Sequence, residues 1–225
     1  VTSRNWVRLF FSTLIVGGIT TAIVGFIVRW SQFHTYFTEF KVADILSALI
    51  WLIVMGFLFS VISQMGFFAY LTIHRFGLGI FKSVSLWNSV QIVLIIFALF
   101  DLVYLRYESF AKPGSPVFPY VGQAALILVL GFVTAWFKMK QTNQRAFIPA
   151  LFFMIVATLI EWVPALRVKE STLFYPMMFT LLACNAYQLF ILHTLNLRSE
   201  LERQKRVIEK RATDSNRKIT KKPSV

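Results

Sequence analysis

Six runs of apolar residues, each close to the length needed to cross a lipid bilayer, leave this chain little choice of fold. A helix rises about 1.5 Å per residue, so a hydrocarbon core of about 30 Å takes about 20 apolar residues to cross. The runs cover residues 9–28, 45–73, 84–104, 117–137, 147–163 and 172–195. The second is longer than a crossing requires, so it should tilt or project beyond the core. The fifth is the shortest, with Pro149 and Pro164 near its ends, where proline is tolerated. Only 15% of residues are charged, against about a quarter in soluble domains. The expected architecture is all-α: a six-helix transmembrane domain over residues 1–197 and a basic tail over 198–225. The first run reads as a membrane helix rather than a cleaved leader, being longer than the usual apolar stretch and lacking a small-x-small site after it.

Charge sorts the connections. Arg4, Arg8, Arg75, Lys82, Lys138, Lys140, Arg145 and ten basic residues of the tail fall on one side, seventeen in all. Arg29, Lys41, Arg106, Lys112, Arg167 and Lys169 fall on the other. Loops rich in lysine and arginine stay cytoplasmic, so both termini are expected inside. The formal charge of +13 therefore describes one face of a membrane protein. Anionic lipid headgroups suit that face better than nucleic acid does.

Helices in lipid associate through small residues and sparse polar contacts. Gly18, Thr21, Ala22 and Gly25 share a face of the first helix, and Gly56, Ser60 and Gln64 one of the second. Asn88, Gln91, Ala98 and Asp101 form a stripe on the third, and Thr180, Cys184 and Gln188 one on the sixth. These stripes should point inward as packing surfaces, the alternative being a substrate path.

Few residues offer chemistry. Cys184 is the one cysteine, which rules out an intramolecular disulfide and a thiolate metal cluster. The three histidines are scattered without metal-ligand spacing, so no catalytic, metal or cofactor site is expected. Gly77 and Gly79 lack the strand and the lysine of a phosphate loop and read as a tight turn. Asp101 and Glu161 are the most deeply set acids, placed by helix rise near the outer boundary. They are expected to pair locally with Arg106 and Arg167, or alternatively to form a small outer-face sensing site.

The tail should continue the sixth helix from Leu195 to about Arg211, with Leu197, Leu201 and Ile208 on one stripe. Glu202 with Arg206, and Lys205 with Glu209, sit four apart as helix-stabilising pairs. Beyond Ala212 the composition favours disorder. The tail reads either as a topological anchor on anionic lipid or as a docking helix for a partner.

Three stretches carry a resemblance: RNWVRLFFSTL (Arg4 to Leu14), VISQMGFFAYLTIHRFGLGIF (Val61 to Phe81) and FDLVYLRY (Phe100 to Tyr107). They are similar to the KinB-signalling pathway activation (KbaA) family of spore-forming Bacillaceae, over nearly the whole chain. The resemblance implies a multi-pass protein of the bacterial cytoplasmic membrane that promotes activation of the sporulation sensor histidine kinase KinB, which feeds the Spo0A phosphorelay. It implies no catalytic residue. A KinB-like kinase is then the expected partner, and a homo-oligomer is compatible with that reading. Candidate partner contacts are Arg75, Lys82, Leu197, Leu201, Arg203, Lys205 and Ile208. A small transporter or channel is the competing reading, although the mid-membrane stripes offer it only amides, hydroxyls and small residues.

Overall fold

The computed structural model describes residues 3–111, 114, 116–166 and 173–220, all helix and short connections without a strand among them. Six of its helices are long and apolar enough to cross a membrane: Arg4–Val28, Val42–Phe81, Val84–Glu108, Phe118–Gln141, Gln144–Ala165 and Phe174–Glu209. These lie in α1 (Ser3–Val28), α3 (Val42–Phe81), α4 (Val84–Phe110), α5 (Phe118–Gln141), a composite fifth span and α8 (Phe174–Thr220). The fifth span is built from a 3-10 turn (Gln144–Ala146), α6 (Phe147–Phe152), a π-helical turn (Phe153–Ala157) and α7 (Thr158–Leu166).

α1 carries the face pattern of a helix that packs in lipid. Ile15, Ile19, Ile23 and Ile27 recur every fourth residue and are all exposed, while Gly17, Thr21 and Gly25 are buried. A soluble helix would show the reverse. The buried face lets backbones touch: a methyl at Gly56 of α3 would come 2.5 Å from the Gly17 carbonyl oxygen and 2.8 Å from Gly18 Cα. Farther along, Gly25 accepts the Leu52 side chain. α1 is thus antiparallel to α3. It is antiparallel to α8 as well, since Thr21 Oγ1 meets Thr180 Oγ1 at 2.7 Å and Asn5 Nδ2 donates to Ser199 Oγ at 2.9 Å. α3 and α8 therefore run in the same direction.

α4, α5 and the fifth span form a second layer. Phe153 joins it to α3, with ring centroids 5.5 Å from Phe67 and 4.7 Å from Tyr70. The fifth span is the most enclosed of the six, and Phe153, Ile155 and Trp162 are fully buried.

Three features depart from the sequence expectation. First, residues 30–38, left between the first two expected spans, form a helix, α2 (Trp30–Thr38). Its Trp30, Phe33 and Phe37 repeat at helical spacing, and Phe26 of α1 packs against Phe33 and Phe37. Second, Gly77 and Gly79 stay within α3; the turn into α4 falls instead at Lys82, whose φ is 50°, and Ser83, whose Oγ caps Leu86 N–H. Gly77 serves packing, because a methyl there would strike the Trp87 indole at 2.5 Å. Third, α8 continues to Thr220, past the point where composition suggested that helix ends. Of residues 213–220 only Arg217 and Lys218 are strong helix formers, so local composition does not account for the extra turns. The boundary expected at residue 197 accordingly falls inside one continuous helix.

Candidate functional site

Polar groups that the sequence scatters over α1, α3, α7 and α8 meet in one place, α1 contributing a backbone carbonyl. Ser60 Oγ of α3 donates to the Thr13 carbonyl at 2.8 Å. One turn on, Ser63 Oγ donates to Asn185 Oδ1 at 2.7 Å and accepts from Gln188 Nε2 at 2.7 Å. Asn185 Nδ2 then donates to Thr158 Oγ1 at 2.9 Å and to Glu161 Oε2 at 2.8 Å. Ser60, Ser63, Asn185, Gln188 and Thr158 are fully buried, and Glu161 is 6% exposed. The other carboxylate oxygen, Oε1, is buried without a hydrogen-bond partner and lies against the backbone of Gly66, where a methyl group would collide with it.

Depth follows from helix geometry. Leu52 packs on Gly25 near one end of α1, and Ser63 is eleven residues farther along α3. That is about 16 Å, half of a hydrocarbon core. The network therefore lies about halfway along the span, a position near mid-bilayer for a helix that crosses a membrane.

The expectation that Glu161 sits in reach of headgroups and water is corrected here. Its carboxylate turns into the bundle toward α3 and α8. Counting rise along the fifth span located its Cα but not its side chain, which leans back along the helix axis toward α7's N-terminal end. Arg167, its expected partner, lies outside the described residues, as does the Arg206 side chain expected to pair with Glu202. Asp101 is half-buried on α4 and takes no part in the network, so the two acids do not form one site. The Arg106 guanidinium stacks 4.5 Å from the Phe174 ring.

An ionisable group at this depth is costly and marks a candidate functional site. Here it is held by neutral donors, and any change in its hydrogen bonding acts on α3, α7 and α8 together. Asn185 is the key residue that sequence reasoning missed. It lies one position beyond Cys184 of the stripe, and only the assembled bundle brings it to Glu161. Thr13, Ser63 and Thr158 were missed for the same reason.

The candidate partner contacts collect at one end of the bundle. Asn5 of α1, the α3–α4 turn and the start of the fifth span share this end with the extension of α8. Arg75 and Lys82 are exposed there. Along the extension Leu197, Leu201 and Ile208 are 47%, 57% and 66% exposed, and Arg203 and Lys205 are exposed beside them. Arg75 lies on α3 and Lys82 in the turn that follows it. At the opposite end a cavity of about 340 Å³ lies between α2 and α3, lined by Arg29, Phe33, Tyr36, Asp44 and Trp51 among others. Arg29 stacks over Phe33 and Trp51 at 4.9 and 5.3 Å. Nearby, an exposed hydrogen bond from Lys41, at 2.6 Å, holds the Glu39 carboxyl below its ordinary range. Neither Asp101 nor Glu161 lines this cavity.

Comparison with known proteins places the chain. The profile of the KbaA family, described as KinB-signalling pathway activation in sporulation, matches residues 17–195. A "KinB-signaling pathway activation protein" of Bacillus subtilis (strain 168) is 46% identical over 190 residues, covering 84% of this chain and 96% of that protein. No solved structure matches. The match runs from the glycine face of α1 through the polar network and stops where α8 begins its exposed extension. This chain belongs to the KinB-signalling pathway activation family.

Proposed function

We propose that this protein is a non-enzymatic regulator of the bacterial cytoplasmic membrane that promotes activation of a KinB-type sporulation sensor histidine kinase. The observation that carries this reading is the 46% identity to the KinB-signaling pathway activation protein over nearly all of that relative. Both termini lie in the cytoplasm in this proposal, supported by the excess of Lys and Arg on the connections at the α8-extension end. The basic extension also draws anionic headgroups there.

A regulator shifts a kinase only by binding one of its states better than the other. A difference of about 1–3 kcal/mol changes output from several-fold to about a hundredfold. α8 is suited to deliver such a bias. Its membrane part carries Asn185 and Gln188 of the buried network, and the same helix presents Leu197, Leu201 and Ile208 outside it. Arg75, Lys82, Arg203 and Lys205 supply charge around that stripe. Asp101 keeps a secondary role as an outer-face sensing residue, and Glu161 acts from within the bundle.

The test is a chain ending at Arg198 expressed in a strain whose sporulation depends on the kinase. It should insert into the membrane at wild-type level and fail to raise kinase output. Undiminished output from the truncated chain would remove the extension from the mechanism. Crosslinkers at Leu201 and Lys205 should capture the kinase rather than a second copy of the chain.

One observation favours a second reading, a small transporter or channel: the buried carboxyl of Glu161 near mid-bilayer. Ion flux in reconstituted vesicles that is lost on Glu161→Gln would establish it.

A further inference from the structure

We propose that the cavity at the α8-extension end of the bundle binds the headgroup of an anionic phospholipid. The cavity measures about 360 Å³ and lies where α3, α4, α5, the fifth span and α8 converge. That is within the roughly 300–1,000 Å³ of small-molecule sites and too small to enclose a two-chain lipid. A headgroup fits inside, with the acyl chains left in the surrounding bilayer.

The chemistry of the walls selects the charge. Lys138, Arg145 and His74 line the cavity, and no lining residue is acidic. Lys138 is 8% exposed, and its ammonium donates to the Leu189 carbonyl at 2.6 Å and, more weakly, to Gln141 Oε1 at 3.4 Å. A third proton is left over for a ligand. Among the described residues Arg145 makes no hydrogen bond or ion pair, so its fork of donors is available. The histidine tautomer is set by its neighbour. Trp87 Nε1–H can only donate, and it does so to His74 Nδ1 at 3.1 Å. The ring's own proton is then on Nε2, which makes His74 a third donor. Tyr70 does not compete for the ligand, since its hydroxyl donates to the Pro149 carbonyl at 3.0 Å.

Apart from Asn88 and Asn143, the remaining wall is apolar, with Leu78, Val84, Leu189 and Leu192 prominent. A soluble phosphate compound would gain nothing from it. A phosphodiester carried on a glycerol with the first carbons of its acyl chains meets donors and leucines together. Placement agrees, because this is the end of the bundle where the polar connections begin and a leaflet's headgroups lie.

The probe is the full-length chain in detergent, given equal amounts of dioleoyl phosphatidylglycerol and dioleoyl phosphatidylcholine, with retained lipid counted by native mass spectrometry. Phosphatidylglycerol should be retained in preference, at one tight site per chain. Arg145→Gln, at an exposed position that leaves packing alone, should cut that preference about fivefold, from about 1 kcal/mol per basic residue near a headgroup. Lys138→Gln should cut it at least as far. Lys140→Gln should leave it unchanged, since that ammonium stacks on Trp136 at 3.7 Å and does not line the cavity. Equal retention of the two lipids, or an unchanged preference in Arg145→Gln, overturns the proposal. So does displacement of the lipid by millimolar glycerol phosphate, which would make the cavity a site for soluble phosphate.

Discussion

Two stretches of α8 obey opposite rules. Within the bundle, the polar Thr180, Asn185 and Gln188 are fully buried beside Met178 and Leu181. Beyond Ser199, the apolar Leu201, Val207 and Ile208 are exposed among Arg203, Gln204 and Lys205. The inversion follows the solvent. In lipid an apolar side chain gains nothing from facing a neighbouring helix, so hydrogen bonds and close backbone approach fix the packing. In water an exposed apolar stripe has something to gain from being covered. The same helix therefore has polar residues among those that hold it in the bundle and leaves apolar ones uncovered beyond it.

Substitutions can break this contrast, beginning in the bundle. Gly56→Leu should be the most damaging, because its side chain would have to enter the space held by the Gly17 carbonyl and Gly18. A cost of about 3 kcal/mol or more is expected from overpacking, read as loss of monodisperse protein in detergent. Asn185→Leu comes next. It strips Glu161 Oε2 of its Asn185 donor and Ser63 Oγ of its acceptor, costing about 1–2 kcal/mol; thermal unfolding in detergent should show a lower midpoint.

A coupled pair sharpens the point. Gly66→Ala pushes a methyl group into the Glu161 carboxylate and should destabilise by about 1 kcal/mol or more. Combined with Glu161→Ala, most of that penalty should vanish, so the double-mutant cycle gives a coupling beyond about 0.5 kcal/mol. Strict additivity of the two changes would refute the contact. On the extension the expected effect on stability is the smallest. Leu201→Lys and Ile208→Lys should each stay within about 0.5 kcal/mol of wild type. Their consequence should appear in kinase-dependent sporulation instead, which falls while protein level holds.

Much of this was legible in the sequence, and the part that was not has a common cause. Span length and the position of charges are local properties, so all six spans could be read directly, as could the inward faces carrying Gly56, Ser60 and Thr180. The Glu161 network was not readable, because its members are 24 residues apart at the closest and 125 at the farthest bonded pair. Nothing local distinguishes Asn185 from a residue facing lipid. The helix α2 is different. Its aromatic residues at 30, 33 and 37 carry a helical period, in a segment too short to cross a bilayer.

The π-helical turn at Phe153–Ala157 has a consequence for how Glu161 is aimed. Such a turn accommodates one more residue than an α-helix would, so everything after it is rotated by about 100° about the axis. Deleting a single residue from that turn would wind α7 back like a screw, carrying the carboxyl off the Asn185 side of the helix without altering its chemistry. A shift of the wide turn by one step along the chain would move each residue it passes in the same sense while the rest of the span keeps its bearings. The fifth span thus contains a built-in gear tooth, placed one turn before the acid it orients.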